Sequence, residues 1–439
     1  MPFARRLHAS APALPPGGRV TDRSEVVVVG GGAVGASCAY FLARAGRQVL
    51  LLERGDLCSG SSYGNARFVP PSRSLPLSVP GIIGKTLRGT LDPNASFRLK
   101  PRLDRELAAW LWRFRAACNP EAVQSTTRLT LDLIRRSIEL YEELATRDGL
   151  EFGFRRNGLL ALFQSDLGRA ASLAEAETLR GYGVASELLD ADAVRRLEPR
   201  VTPAVEGGVL YPEDADLDPP RLVRELVAGA EAAGARVQTG TEVLRLRRQG
   251  RTITEIETNR GTLTPKRVVL ANGAWAGRTA AELGLRLLIQ PGKGYGFSLS
   301  AGEDGGSVPM VFSEKRTTLT PKAGGGSWVT GKLDLLGFDQ SSGGRRVAAI
   351  PETVRGYVDV GEVEVLERWF GYRPLTPDGL PIVGVHPAVE NLILAVGHGR
   401  LGIGLAPVTG QLVTELAAGV ARSFDLEPLR PDRFERRRA

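Results

Sequence analysis

Four stretches of the chain hold residues whose types and spacing can do chemistry. Gly30, Gly32 and Gly35 stand in a G-x-G-x-x-G spacing directly after Val26-Val27-Val28-Val29. The first glycine permits a tight turn, the second lets backbone approach a pyrophosphate, and the third lets a helix pack closely on the preceding strand. The helix opening at Ala33 and Val34 would point its N–H groups and positive dipole end at a diphosphate. Val49-Leu50-Leu51-Leu52 reads as a second strand, and Glu53 closes it with a carboxylate able to accept hydrogen bonds from ribose hydroxyls. The bare glycine spacing is weak evidence. Strand, turn, helix, strand and acid in this order make the ligand a dinucleotide, and NAD and FAD both satisfy the motif.

The second stretch is Ser59-Gly60-Ser61-Ser62-Tyr63-Gly64-Asn65-Ala66. It leaves the end of a strand, and such loops lie over the carboxyl edge of a parallel sheet, where ligands bind. The third is Val268-Val269-Leu270-Ala271-Asn272-Gly273-Ala274-Trp275, a buried strand running into a small-residue turn that backbone and ligand can share. The fourth lies near the end of the chain. Gly371-Tyr372-Arg373-Pro374-Leu375-Thr376-Pro377-Asp378-Gly379 precedes a strand at Leu392–Val396, and Gly397-His398-Gly399-Arg400-Leu401-Gly402-Ile403-Gly404 then opens the last helix. That helix N-terminus is a second place for an anionic or electron-rich ligand.

The elements that must position these residues follow from periodicity. Residues 103–118 and 121–147 read as helices, with Leu131, Ile134, Ile138, Tyr141 and Ala145 on one apolar face. Gly158–Phe163 and Gly207–Tyr211 read as strands, with a helix over 166–182 between them. Asp218 and Pro219 read as N-cap and first position of a helix reaching about Ala233. Arg236-Val237 with Thr241-Glu242-Val243 resembles the third strand of the dinucleotide sheet, and short strands follow to Pro265. From Leu287 to Thr330 the pattern becomes an antiparallel sheet, and a helix is expected over 351–367. Residues 70–102 read as an irregular excursion.

The chain has 439 residues, 42% hydrophobic and 24% charged, as in an ordinary globular protein of two to three domains. No apolar run approaches the roughly 20 residues of a membrane helix. Three widely spaced cysteines, Cys38, Cys58 and Cys118, suggest a reducing compartment without disulfides, and with only three histidines no metal site is expected. Residues 1–24 read as a disordered tail and not a secretory signal. The net charge of +8, partly in the two basic ends, reads as solvated tails or, more sharply, as attraction to an anionic membrane surface. Nucleic acid is not an expected partner, since no recognition motif accompanies the charge. The expected location is cytoplasmic, or the inner face of the cell membrane.

Taken in order, these motifs together with Pro291-Gly292-Lys293-Gly294-Tyr295, read as a turn, resemble the FAD-dependent D-amino-acid oxidase family. That family includes glycine and sarcosine oxidases, and the chain is most similar to the small-subunit type of bacterial D-amino-acid dehydrogenase. The resemblance spans about Glu25 to Ala418 and implies an α/β architecture. A Rossmann-like FAD-binding domain (25–78, 215–284 and 369–425) would be interleaved with an antiparallel-sheet substrate domain (79–214 and 285–368). Residues 426–439 would form a basic tail.

The resemblance also implies roles. FAD would be held by Gly30, Gly32, Ala33, Val34, Gly35, Glu53 and Arg54, then Ser61, Ser62, Asn65 and Ala66 near the isoalloxazine. Val243 would meet the adenine side and Gly273 with Trp275 would flank the cofactor. Gly399, Arg400, Leu401, Gly402 and Ile403 would face the flavin N1–O2 edge. Arg373 matches the arginine that clamps a substrate carboxylate, a task suited to its planar fork. Tyr295, Arg400 and His398 are further substrate-side candidates, and His398 reads equally as a structural histidine packed on the last strand, not as a catalytic base. The implied reaction is hydride transfer from the α-carbon of a D-amino acid to flavin N5, with the imino acid hydrolysing to a 2-oxo acid and ammonia. Electrons would pass to a quinone or dye-like acceptor. The FAD is expected to be non-covalent, because all cysteines precede residue 120 and the first loop has no histidine. Arg67, where relatives have glycine, would put a cation near the flavin. Two other readings are an amine oxidase acting on glycine, sarcosine or D-proline-type substrates with release of peroxide, and a catalytically idle flavin-binding subunit.

Overall fold

The computed structural model describes residues 24–84, 97–99, 102–300, 308–322, 325–341, 343–361 and 364–435. Two large sheets are built from interleaved stretches of the chain. The first is six-stranded, in the order β19-β20-β13-β1-β2-β9. Its members are β1 (Val26–Val29), β2 (Val49–Leu52), β9 (Arg236–Gln238), β13 (Arg267–Leu270), β19 (Ile382–His386) and β20 (Val389–Val396). All neighbours are parallel except β19 and β20. β1 is an unbroken β-branched run because both its faces are buried. Val26 and Val28 pack into a helical layer with Ala36, Leu42, Leu226 and Leu412. Val27 and Val29 pack on the other side with Leu246, Ile256 and Ala280. The helical layer is α1 (Ala33–Arg44), α3 (Pro120–Thr146), α6 (Pro219–Ala232) and α10 (Ala406–Ala418). The opposite layer is the antiparallel sheet of β10 (Val243–Gln249), β11 (Thr252–Thr258) and β12 (Gly261–Leu263), with α7 (Ala276–Glu282).

The second sheet runs β18-β14-β17-β16-β15-β5-β7-β6, with β4 also paired to β17. It comprises β4 (Phe97–Leu99), β5 (Leu159–Phe163), β6 (Glu187–Asp190), β7 (Gly207–Tyr211), β14 (Gln290–Leu299), β15 (Met310–Phe312), β16 (Thr317–Pro321), β17 (Ser327–Leu335) and β18 (Val365–Leu375). Pairing is antiparallel except for β15 on β5 and β17 on β4. Its core includes Tyr295, Phe297, Phe312 and Tyr357. The two remaining strands, β3 (Phe68–Val69) and β8 (Ala215–Asp216), pair with each other.

Several expectations change. The Pro291–Tyr295 stretch is no turn but the start of β14, buried along its whole length and paired on both sides. Its alternate glycines make room for neighbouring side chains, not for a bend. The helix expected over 351–367 ends at Tyr357, and β18 begins at Val365. The β-branched residues Val358 and Val360, two apart, favour extended chain beyond Tyr357. The third strand of the first sheet ends at Gln238, and Val243 starts the three-stranded sheet. The irregular excursion holds β4, α2 (Arg105–Ala117) begins just beyond it within the helix expected over 103–118, and residues 85–96, 100 and 101 lie outside the described residues. The C-terminal stretch is not a free tail up to Glu435. Leu426 and Leu429 are buried, and Arg433 makes a two-pronged ion pair with Asp378, its Nε at 2.8 Å and Nη2 at 3.1 Å. Residues 1–23 and 436–439 lie outside the described residues. Among the described residues no helix is long and apolar enough to cross a membrane.

Candidate functional site

One cleft runs from the glycine turn after β1 to the cleft-facing side of β18. At its first end, Gly30 takes φ +116°, a conformation that L side chains avoid. A Cβ on Gly35 would fall on the Gly30 carbonyl, so α1 seats against the turn as closely as two backbones allow. Gly32 is the N-cap of α1 and has no side chain to bond the helix N–H groups. Ser62 supplies that bond from another loop: its Oγ accepts from the Ala33 N–H at 3.0 Å. Glu53 accepts from Gly31 N–H at 2.7 Å and Gly55 N–H at 2.9 Å, which ties the acid to the turn. At the end of β13, Asn272 Oδ1 is buried beside the cleft with no protein partner, while its amide donates to Thr279 at 2.8 Å. An orphaned acceptor, a helix N-terminus and a strand-end acid in one cleft fit a nucleotide diphosphate and its ribose.

Arg54 stacks on Trp275 with its guanidinium 4.0 Å from the ring centroid. Both line the cleft, as do Val243, Gly273, Ser61 and Asn65. Ser61 Oγ donates to the Tyr372 carbonyl, so the first loop is pinned to β18. Gly35 and Ala66 support the cleft from behind and do not line it.

At the far end, Arg373 lies in the cleft on β18, opposite Gly292 of β14. Its Nη1 donates to the Lys332 carbonyl at 3.2 Å. Surrounding protein lowers its pKa to about 10, with the nearby charge of Asp334 opposing. A guanidinium there stays charged at neutral pH. A Cβ on Gly294 would fall on that guanidinium, so this glycine makes the seat for Arg373.

Three of the substrate-side expectations are corrected. Tyr295 is one residue out of phase with Gly292 and Gly294, so the pleat turns it to the opposite face of the sheet. It is 1% exposed there, and its hydroxyl donates to Asp334 at 3.1 Å. Arg400 turns away from the cleft and donates to the carbonyls of Arg73 and Leu75. Its side chain and Leu401 line a separate small cavity beside Trp110 and Phe114. His398 borders both cavities, but its Nε2 is 2.9 Å from Thr409 Oγ1 and burial pushes its pKa down to about 3. It is a neutral ring bonded to α10. Gly399, Gly402 and Ile403 line the cleft. Within that turn the Gly399 N–H donates to Pro374 and the Leu401 N–H to His398. Arg67 also departs from expectation. Its guanidinium pairs with Asp218 at 2.9 Å, its side chain is 7% exposed, and it does not line the cleft.

Gly64 lines the cleft as part of the first loop, and Trp369 and Arg278 line it without having been foreseen. The available signal was the alternation Trp369-x-Gly371-x-Arg373, which puts all three on one face of a strand.

Residues 25–416 match the family model described as FAD-dependent oxidoreductase (DAO). A D-amino acid dehydrogenase of Cereibacter sphaeroides is 32% identical over 93% of this chain and 95% of its own length. One from Methylobacterium nodulans is 33% identical over 93% and 99%. Among solved structures, glycine oxidase from Geobacillus kaustophilus superposes with a TM-score of 0.74 at 28% identity, over 94% of this chain and 99% of that one. The L-proline dehydrogenase from P. horikoshii shares the fold, with a TM-score of 0.69 at 22% identity over 95% and 99%. The glycine turn bound to Glu53, the first loop pinned to β18 and a match spanning almost the whole chain agree: the chain belongs to the FAD-dependent oxidoreductase family.

Proposed function

We propose that the chain oxidises D-amino acids to 2-oxo acids and ammonia and passes the electrons to a quinone or similar acceptor. Arg373 carries this reading: a charged fork seated on a glycine, facing the cleft that the dinucleotide turn also enters. The curated relatives named D-amino acid dehydrogenase cover the whole length of the match. The residues that would hold FAD are the Gly30–Val34 turn, Glu53 and the Ser61–Asn65 loop, with Asn272 and Gly273 at the end of β13. When bound, FAD supplies a two-electron acceptor for the hydride of the substrate α-carbon. Arg373 binds the substrate carboxylate and so fixes the α-carbon. The amine enters neutral, since the histidine at this end, His398, is bonded to Thr409 and is a weak base. Loss of the α-hydride leaves an imino acid, which water hydrolyses. A non-covalent FAD is supported by the cleft lining, which does not include Cys38, Cys58 or Cys118.

Anaerobic addition of D-alanine to the flavin-loaded protein is expected to bleach the flavin absorbance near 450 nm, roughly where oxidised flavins absorb. No bleaching with any D-amino acid rejects the reading. The similarity to glycine oxidase favours a second reading, an oxidase for small amines. Peroxide formed stoichiometrically with turnover under air would select it. The +8 net charge supports work at the inner face of the cell membrane, near a quinone pool. Trimming residues 1–23 and 436–439, which leaves the Arg433–Asp378 pair in place, should weaken pelleting with anionic vesicles, and unchanged pelleting rejects attraction through the tails.

A further inference from the structure

Period-two alternation on β18 turns Trp369, Gly371 and Arg373 to the same face of the sheet. Trp369 and Arg373 both line the cleft. Gly371 pairs directly with Gly294 on β14. A Cβ on Gly371 would fall on the benzo ring of Trp369, and a Cβ on Gly294 would fall on the guanidinium of Arg373. The indole and the guanidinium therefore lie side by side over two glycines that strand pairing sets opposite each other. From the first loop, a Cβ on Gly64 would also fall on the benzo ring of Trp369. The ring is wedged between that loop and the strand, and it fills the corner of the cleft beside the guanidinium.

We infer that Trp369 is a size filter, which restricts the substrate class to α-amino acids with small side chains. This rests on the reading that Arg373 takes the substrate carboxylate. With the carboxylate on Arg373, a side chain on the α-carbon has to share the adjoining space with the indole. Loop and strand both press on the ring, so the indole meets a bulky side chain as an obstacle that has nowhere to retreat. Discrimination by a filled pocket is a clash against the larger competitor. Each methylene that a pocket newly admits or refuses changes kcat/KM by about 10-fold or more.

The test uses the flavin-loaded full chain and two variants, Trp369→Ala and Trp369→Phe. The ratio of kcat/KM for D-phenylalanine to that for D-alanine is expected to rise about 10-fold or more in Trp369→Ala, and by a smaller factor in Trp369→Phe. A second readout needs no turnover. Binding of benzoate relative to acetate, followed by perturbation of the flavin spectrum, should tighten in the same order. Should Trp369→Ala fail to fold, Trp369→Phe carries both measurements. A wild-type enzyme that turns over D-alanine, with variants whose two ratios are unchanged or lowered, overturns the filter. A wild-type enzyme that no D-amino acid reduces overturns the functional reading instead, while the benzoate-to-acetate ratio still reports on Trp369.

Discussion

The carboxylate of Glu53 accepts a 2.7 Å hydrogen bond from the N–H of Gly31, so the acid at the end of β2 and the turn at the end of β1 form one unit. The second oxygen holds the Gly55 N–H at 2.9 Å. A Cβ on Gly31 would press on the Glu53 side chain at 2.8 Å, which leaves glycine as the residue that fits. Glu53 therefore shapes the turn as well as offering lone pairs to a ribose.

Replacing Glu53 by Ala removes both bonds to backbone N–H groups and the expected ribose contact. Hydrogen bonds to a charged group are each worth about 1.5–3 kcal/mol, so FAD affinity should fall by roughly 10- to 100-fold. Titration of the apoprotein with FAD measures this. Glu53→Gln keeps one acceptor oxygen and should fall between the variant and the wild type.

The pair Gly294 and Arg373 offers a test that leaves the arginine in place. Gly294→Ala puts a methyl group where the guanidinium rests, and Arg373 has to leave its seat. Arg373→Leu should lower kcat/KM for D-amino acids by about 2–5 kcal/mol, the usual loss when one partner of a charge-assisted pair is removed. Gly294→Ala should approach that loss while its flavin content stays near wild type, because Gly294 does not touch the dinucleotide turn. Steady-state kinetics with parallel flavin absorbance would show it. An unchanged kcat/KM in Gly294→Ala would mean that the guanidinium acts from another position.

What was legible in the sequence depended on how local the physics is. The turn from Gly30 to Gly35, the second strand and its acid all sit within about 25 residues, and their order alone implied the nucleotide end. The helix caps were equally local: Asp218 accepts from the Arg221 N–H at 3.0 Å, with Pro219 at the first helical position. The substrate end was not local. Gly292 and Gly294 look like a turn until β18 lies beside them and its side chains claim the missing Cβ positions. Tyr295 looked like a site residue because its neighbours are, but pleating turns it to the other face. Arg400 was misplaced for a similar reason, since its backbone stands at the cleft while its side chain finds carbonyls more than 300 residues away in sequence.

Arg67 tests whether a cation merely close in sequence to the cofactor loop affects the flavin. Its guanidinium is neutralised by Asp218 and lies 5.6 Å from the Trp328 ring centroid, outside the cleft. Asp218 is 23% exposed and also caps α6, so the pair is only partly shielded from water. Arg67→Met should then lower stability by about 1–3 kcal/mol, less than a fully buried pair would lose. The flavin midpoint potential should stay close to wild type. Denaturant melts and a dye-coupled redox titration give the two numbers, and a large shift in potential with no loss of stability would reverse this assignment.

His398 links the site to acid stability. Folded, its pKa is pushed down to about 3 by burial, and in the unfolded chain it would be about 6.5. Between those values the unfolded chain binds the proton and the folded chain does not. The neutral ring therefore lets full stability persist above about pH 6.5, and stability falls as pH drops from there toward 3. At pH 5 this group alone would remove about 2 kcal/mol, each pKa unit being worth roughly 1.4 kcal/mol. His398→Asn has no proton to gain, and its side chain can still meet Thr409. It should melt below wild type at pH 7.5, with the gap narrowing as pH falls to 4.5. The same variant addresses the reaction. If the substrate amine, and not His398, has to lose a proton before hydride transfer, the alkaline rise in kcat/KM keeps its midpoint in His398→Asn, whatever happens to the absolute rate. A displaced midpoint would return His398 to the proton chemistry that its bond to Thr409 argues against.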